Sequence, residues 1–377
     1  MASMASAHRP LLPILLLIIF ASVAFSFQSG EGMISILYGE KRESYEIRQG
    51  DVMMIPSGSI MYQVNKHQKE SLRIAMLLCP VSLPGHFEEF MQAGGQRPET
   101  FWNSFSHEIL EAAFNAPRER FERVFQKQRK GEIFKASDEQ IKALSKSTKE
   151  GKLGKPFNLL KKRPSFSNNH GQLFEATSGD YSQLKGHDVD VSIANISSGS
   201  MMAPNYNSRA TKIAMVVEGC VDFEMACPHL SHESGEEEEK EREWGREEER
   251  ERRWERERGR EREHGREIGE EEGHSYQLVR SRACRGDVFV IPASHPVVAV
   301  ASRDNLQILC FGIRAEDNRK IFLAGKNNVL KQMEKEAKEL AFGTSATEVD
   351  QLLNAQSESA FLPGPGKSRG GHGHAIK

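Results

Sequence analysis

One seven-residue phrase occurs twice in this chain: Gly50–Pro56 reads GDVMMIP and Gly286–Pro292 reads GDVFVIP. A Gly-Asp pair makes a tight turn, because Gly tolerates positive φ and Asp hydrogen-bonds nearby backbone. The apolar run behind it has strand character, and the proline ends it. A tyrosine-bearing strand precedes each copy, at Ser44–Ile47 and Ser275–Leu278, and a small-residue turn with another apolar run follows each. Two such copies far apart predict a duplicated β unit and a bilobal fold.

The flanking pattern agrees. Met33–Tyr38, Ser44–Ile47, Asp51–Ile55, Met61–Asn65 and Leu72–Leu78 are short apolar or alternating runs separated by turn residues, the pattern of an antiparallel sandwich or barrel. Helical signals follow. Ser106 caps His107–Phe114, Pro117 opens Arg118–Phe125, and Ser137 to Gln140 has capping-box spacing for a helix through Leu144. Phe114, Phe121, Val124 and Phe125 form an apolar stripe that predicts packing, against a neighbouring subunit by preference. Strands return at Leu173–Ala176, Val189–Ile196, Lys212–Glu218, Cys220–Met225, Tyr276–Arg282, Asp287–Ile291, Val297–Ala301 and Leu306–Phe311. Helices close the chain, with Asn327 capping Asn328–Leu340 and Thr347–Leu353 after it.

Both ends and one insertion stand apart. Arg9, the apolar run Leu11–Ala24 and the small-x-small site Ala24-Phe25-Ser26 have the layout of a secretory signal cleaved near Ser26. The run is short for a membrane span and Pro13 interrupts it, so no membrane association is expected after cleavage. Glu236–Glu272 is almost wholly Glu and Arg, with Trp244 and Trp254. Such a segment buries too little apolar surface to offset its chain entropy, which predicts a solvated, protease-sensitive loop between two strands. Its interleaved charges, with a net charge of -2 over 377 residues, give no argument for nucleic-acid binding. Five cysteines are too few and scattered for a disulfide framework. Cys79 and Cys310 end apolar strands and are expected to be buried; whether Cys220 and Cys227 pair stays open.

Several longer stretches carry a resemblance. APNYNSRATKIAMVVEGCVDF (203–223), GDVFVIPASHPVVAVAS (286–302) and FLAGKNNVLKQMEKEAKELAF (322–342) are the strongest, joined by GDVMMIPSGSIMYQVN (50–65), FSHEILEAAFN (105–115) and PFNLLKKRPSFSNNHGQLFEAT (156–177). Across nearly the whole mature chain the sequence resembles the vicilin, or 7S globulin, family of bicupin seed storage proteins. The resemblance implies a mainly β fold of two jelly-roll (cupin) barrels, each followed by a helical arm. It implies a homo-oligomer, a trimer clasped through those arms, held in the protein storage vacuole and hydrolysed by vacuolar proteases at germination. By family comparison the first lobe is incomplete, because the chain enters it at Gly32 to Ser35 without the preceding strands. The expected division is 1–26 signal; 27–150 partial first lobe and arm; 151–165 linker; 166–315 second lobe with charged insertion 233–274; 316–356 second arm; 357–377 flexible tail.

No cofactor and no catalytic residue are expected. Enzymatic cupins hold a metal through two His, a carboxylate and a further His. Here only His295 remains, while Ala203 and Asn205 stand where some vicilin-like proteins place copper ligands, and Ser59 stands at the His295 position of the first copy. One good ligand does not hold a first-row metal, which needs about three or four. Asn195-Ile196-Ser197 is a glycosylation sequon, and His372-Gly373-His374 is a weak metal motif in a Gly-rich tail. The structural turn residues are Gly50, Asp51, Pro56, Gly286, Asp287 and Pro292. A metal-dependent cupin enzyme, and a sugar-binding or defence protein that releases its charged peptide, are the alternatives to storage.

Overall fold

The computed structural model describes residues 18–20, 22–79, 90–91, 100–125, 127, 133–147, 151, 154–227 and 276–366. Most of the expected signal, the charged insertion and the His372–His374 motif lie outside the described residues. The chain divides into two compact units, 1–165 with 174–193, and 166–173 with 194–377. The division expected at residue 166 is therefore crossed by Phe174–Ile193, which belongs to the first unit.

In the first unit, alternating apolar residues fold into two antiparallel sheets. One runs Lys41–Arg48, Glu31–Tyr38, Ser59–Asn65, Ile18–Phe20, Phe90–Met91; the other runs Arg73–Cys79, Ser22–Ser29, Asp51–Ile55, Phe157–Asn158. Gly39, at φ 59°, turns the two-residue hairpin between Tyr38 and Lys41. The core between these sheets contains Ile34, Ile36, Ile47, Met53, Ile55 and Met61, all buried. Two strands thus precede Gly32. Ser22–Ser29 lies between Asp51–Ile55 and Arg73–Cys79, with Phe25 opposite both Met53 and Met76. It overlaps the end of the apolar run that reads as a signal core. The Lys/Gly/Pro stretch expected as a linker also takes part: Phe157–Asn158 pairs with Asp51–Val52, and Leu159 is fully buried.

The later strands form two longer sheets, whose residues outside 174–193 belong to the second unit. The first runs Phe166–Asn168, Gly171–Ala176, Val189–Ile196, Leu306–Ile313, Thr211–Glu218, Val288–Ile291. The second runs Gln277–Cys284, Cys220–Cys227, Val297–Ala301, Ser200–Asn207, Lys320–Phe322. Thr211–Glu218 and Cys220–Cys227 alternate buried and half-buried residues almost without a break, as a strand with one face on a core must. Val216, Val221, Phe223, Leu306 and Ile308 meet in that core. Phe223 stacks on Phe289 with ring centroids 4.6 Å apart.

The tail expected to be flexible from residue 357 is instead structured through residue 366. Phe361–Pro363 pairs with Ser200–Met202, and Phe361 is fully buried among Leu173, Ile196 and Leu362. The physical reason is a short apolar plug, Ala360-Phe361-Leu362, that the Ser-, Gly- and Pro-rich surroundings obscure.

The helical blocks follow their capping signals with two exceptions. Ser137 forms a complete capping box with Gln140, and Ser345 accepts from the Glu348 amide ahead of Ala346–Asn354. Ser106 stands at the start of His107–Phe114 but makes no side-chain cap bond. The single helix expected over Asn328–Leu340 is two pieces: Asn328, not Asn327, caps a 3-10 turn at Val329–Gln332, and an α-helix follows over Lys335–Phe342. In the first arm Trp102, Phe114, Phe121 and Phe125 form one aromatic cluster, with centroids 4.6 to 5.8 Å apart. Val124 and Ile109 point to solvent.

The buried tail generates a test. Phe361→Ala empties a fully enclosed site and should cost about 3–5 kcal/mol, read as a lowered urea midpoint at unchanged slope. A shift equivalent to less than about 1 kcal/mol would show that the segment contributes little to the core.

Candidate functional site

The repeated phrase folds into the same device twice. Gly50 and Gly286 take φ of 82° and 95°, a region that costs glycine nothing. Asp51 Oδ2 accepts from the Arg48 amide at 2.9 Å, and Asp287 Oδ2 accepts from the Cys284 amide at 2.7 Å, each three residues back. Behind each strand a second turn closes: Ser59 N donates to Pro56 O at 3.2 Å, and His295 N donates to Pro292 O at 3.3 Å. The left-handed residue is Gly58 in the first copy and Ser294 in the second. Ser59 and His295 are therefore structural equivalents.

The copies differ in burial. Asp287 is exposed, whereas Asp51 is buried and also accepts from Asn158 Nδ2 at 2.8 Å. Burial pushes the Asp51 carboxyl above its ordinary range, partly offset by the bonds from Asn158 and Arg48.

Around His295 the second unit offers little coordination chemistry. The half-buried imidazole directs Nδ1 to Ala293 O at 2.9 Å, a carbonyl that only accepts, so Nδ1 carries the proton. Ala203 is fully buried and presents a methyl group. Asn205 is buried, and its Nδ2 donates to Ala203 O at 2.7 Å and to Val297 O at 3.5 Å. Asn207 Oδ1 accepts from Asn318 Nδ2, while Asn207 O accepts from the Ser294 amide. Amides and carbonyls thus satisfy one another where a cupin enzyme places metal ligands. Among the described residues no group of three or more His, Cys, Asp or Glu is placed to hold a metal ion. The residues present do not fit one.

The cysteines fall differently from their spacing. Cys220 and Cys227 stand at opposite ends of one eight-residue strand, roughly 23 Å apart at strand rise, and cannot bridge. Cys220 instead bonds Cys284, 64 residues on and directly opposite in the neighbouring strand. Cys227 is free and buried, and burial pushes its thiol up. Cys310 is half-buried. The side chain of Cys79 lies outside the described residues. Sequence spacing carried no signal for the Cys220–Cys284 pair, because the hairpin register that makes it spans the insertion.

Asn195 is the penultimate residue of the strand Val189–Ile196, half-buried in a polar cleft of about 360 Å³ that Gln172, Glu218, Asn305 and Gln307 also line. Its Oδ1 accepts from Gln307 Nε2 at 2.8 Å, which turns Nδ2, the atom a glycan would use, the other way. This cleft was not visible in the sequence, since its walls come from four separate stretches.

Two β units of one plan, each with helices behind it and a Gly-Asp turn opening an equivalent strand, define a duplicated cupin. A cupin family model matches residues 157–350. Cupincin from Oryza sativa subsp. indica is 47% identical over 357 residues, covering 92% of this chain and 74% of its own. Vicilin Cor a 11.0101 from Corylus avellana is 43% identical over 364 residues, covering 94% and 72%. The crystal structure of hazelnut vicilin superposes with a TM-score of 0.78 at 42% identity, over 94% of this chain and 86% of that one. The chain belongs to the vicilin (7S globulin) family of cupin seed storage proteins.

Asp51 provides a pH test. A carboxyl with a raised folded pKa contributes stability below its unfolded pKa and loses it as pH rises through the folded value. Asp51→Asn leaves one acceptor oxygen for two donors and should cost ~1 kcal/mol. The gap from wild type should be widest below the ordinary Asp value of 3.8 and narrower at neutral pH. Denaturant midpoints at acid and neutral pH check this; a gap that widens with pH contradicts it.

Proposed function

We propose that this chain is a non-catalytic nutrient reservoir, laid down in the protein storage vacuole as a homotrimer and consumed by vacuolar proteases at germination. The observation that carries the reading is the coupling of a storage-globulin scaffold to a ligand position occupied by Ala203, Asn205 and a single imidazole. A cupin enzyme needs its metal at that position, and hydrogen bonds among amides take its place here. The reading requires no cofactor, no nucleic acid and no membrane after removal of the signal.

Assembly through the arms is supported by where apolar side chains meet solvent. Phe105, Ile109, Phe114 and Val124 are exposed in the first arm, and Leu340, Phe342 and Leu352 in the second, Leu340 at 87%. Clustered exposed apolar residues of this kind mark interaction surfaces. Secretory passage also makes the Asn195 sequon a glycosylation site, with the first sugar at the mouth of its polar cleft.

The test has two readings. Protein abundance and native mass followed through seed development should show accumulation as a trimer and loss at germination. Leu340→Arg with Leu352→Arg should lower the native mass by light scattering while leaving the circular dichroism of the β units intact. A variant that stays trimeric removes the second arm from the interface. Stoichiometric copper or manganese in purified protein, with turnover that His295→Ala abolishes, would overturn the non-catalytic reading.

A further inference from the structure

The Cys220–Cys284 bond sits at a particular place in the hairpin. Cys220–Cys227 and Gln277–Cys284 pair over eight consecutive positions, from Cys220 opposite Cys284 to Cys227 opposite Gln277. The connecting segment leaves from the Cys227 end, and the disulfide lies at the other. Glu224 faces Arg280 across this ladder with an Arg280 Nη2 to Oε1 distance of 2.6 Å, and Asp222 faces Arg282 at 3.7 Å. Among the described strands, Gln277–Cys284 lies at the edge of its sheet and pairs with Cys220–Cys227.

A cut in the chain between Cys227 and Gln277 removes no described strand of the second unit. It separates a piece ending with Cys220–Cys227 from one beginning with Gln277–Cys284. Across the second sheet the strands then alternate between the two pieces: Gln277–Cys284 from the later, Cys220–Cys227 from the earlier, Val297–Ala301 from the later, Ser200–Asn207 from the earlier, Lys320–Phe322 from the later. In the first sheet Leu306–Ile313 of the later piece lies between Val189–Ile196 and Thr211–Glu218 of the earlier one. Alone, the earlier piece would keep the ladder of Phe166–Asn168, Gly171–Ala176 and Val189–Ile196, while its other strands of these sheets and those of the later piece would lose their partners.

We propose that the second unit is built to survive cleavage between Cys227 and Gln277, with Cys220–Cys284 as the covalent tie that keeps the interleaved pieces in one molecule. Hydrolysis of a peptide bond there consumes one water and frees a carboxylate and an amine, leaving the disulfide and the strand ladders unchanged. Separation of the pieces then needs a second, independent step. A dithiol reductant supplies two electrons and two protons, yields two cysteine thiols, and is itself oxidised to a disulfide. Until that step, re-pairing of the pieces is intramolecular, at an effective concentration far above that of the free fragments. This inference is independent of the storage reading, because it concerns covalent connectivity alone.

The experiment uses the full-length chain with one site-specific protease sequence inserted after Gly259, compared with the same chain carrying Cys220→Ser and Cys284→Ser. After cleavage the wild-type pair should run as one species on a denaturing gel without reductant and as two with it. It should melt in the same transition as uncut protein. Unfolded in urea and returned to buffer, it should refold with a yield unchanged over about a tenfold dilution, whereas the cleaved double variant should refold less completely as it is diluted. Should the double variant fail to fold, cleaved wild type unfolded with and without a dithiol gives the same comparison. Two bands without reductant, loss of the melting transition on cleavage, or a tie-free protein whose refolding is equally independent of dilution would each overturn the proposal.

Discussion

A carboxylate accepting a hydrogen bond from the backbone three residues earlier fixes the entrance to an equivalent strand in each half of this chain. Asp51 holds the Arg48 amide and Asp287 holds the Cys284 amide. The bond sets where the preceding strand ends, and with a period of two that decides which side chains face the core. In the first unit it puts Met53 and Ile55 inside; in the second it turns Phe289 onto Phe223. The same bond in the second unit also seats Cys284 opposite Cys220, so the disulfide depends on the turn's register.

That device was legible because it is local: glycine, aspartate and proline each act within a few residues of themselves. The features that escaped are those where one local pattern serves two purposes. An apolar run ahead of a small-residue site reads as a secretory signal, and Ser22–Ser29, which overlaps its end, is also a strand. Ser200–Asn207 went unread as a strand because Pro204 interrupts it. The sheet absorbs the proline with a register shift between Met202 and Asn205, where the Pro204 carbonyl accepts from Leu323 instead. Phe361 was hidden among tail-like residues, and only the core cavity it fills distinguishes it from a solvated phenylalanine.

The candidate site was legible only as a position. Reading Ala203 and Asn205 against a ligand set pointed to it, but not to what stands there in place of metal ligands. The replacement is Asn205 bonded to Ala203 and Val297, and Asn207 bonded to Asn318 and Ser294, with partners up to 111 residues away in sequence. A buried amide must find donors and acceptors or lose free energy on folding. Once these amides have partners, introducing metal ligands would require rebuilding a satisfied network as well as substituting residues.

The framework of a storage globulin has to remain folded in bulk and still be dismantled. The two requirements pull apart in the second unit. Interleaving strands from both sides of the charged insertion makes the sheets insensitive to a cut there, because most strands from one piece have neighbours from the other. The same interleaving means that loss of either piece strips partners from both sheets at once, exposing backbone donors and acceptors along their full length. A barrel wound this way resists the first break in its chain and fails cooperatively when its pieces part.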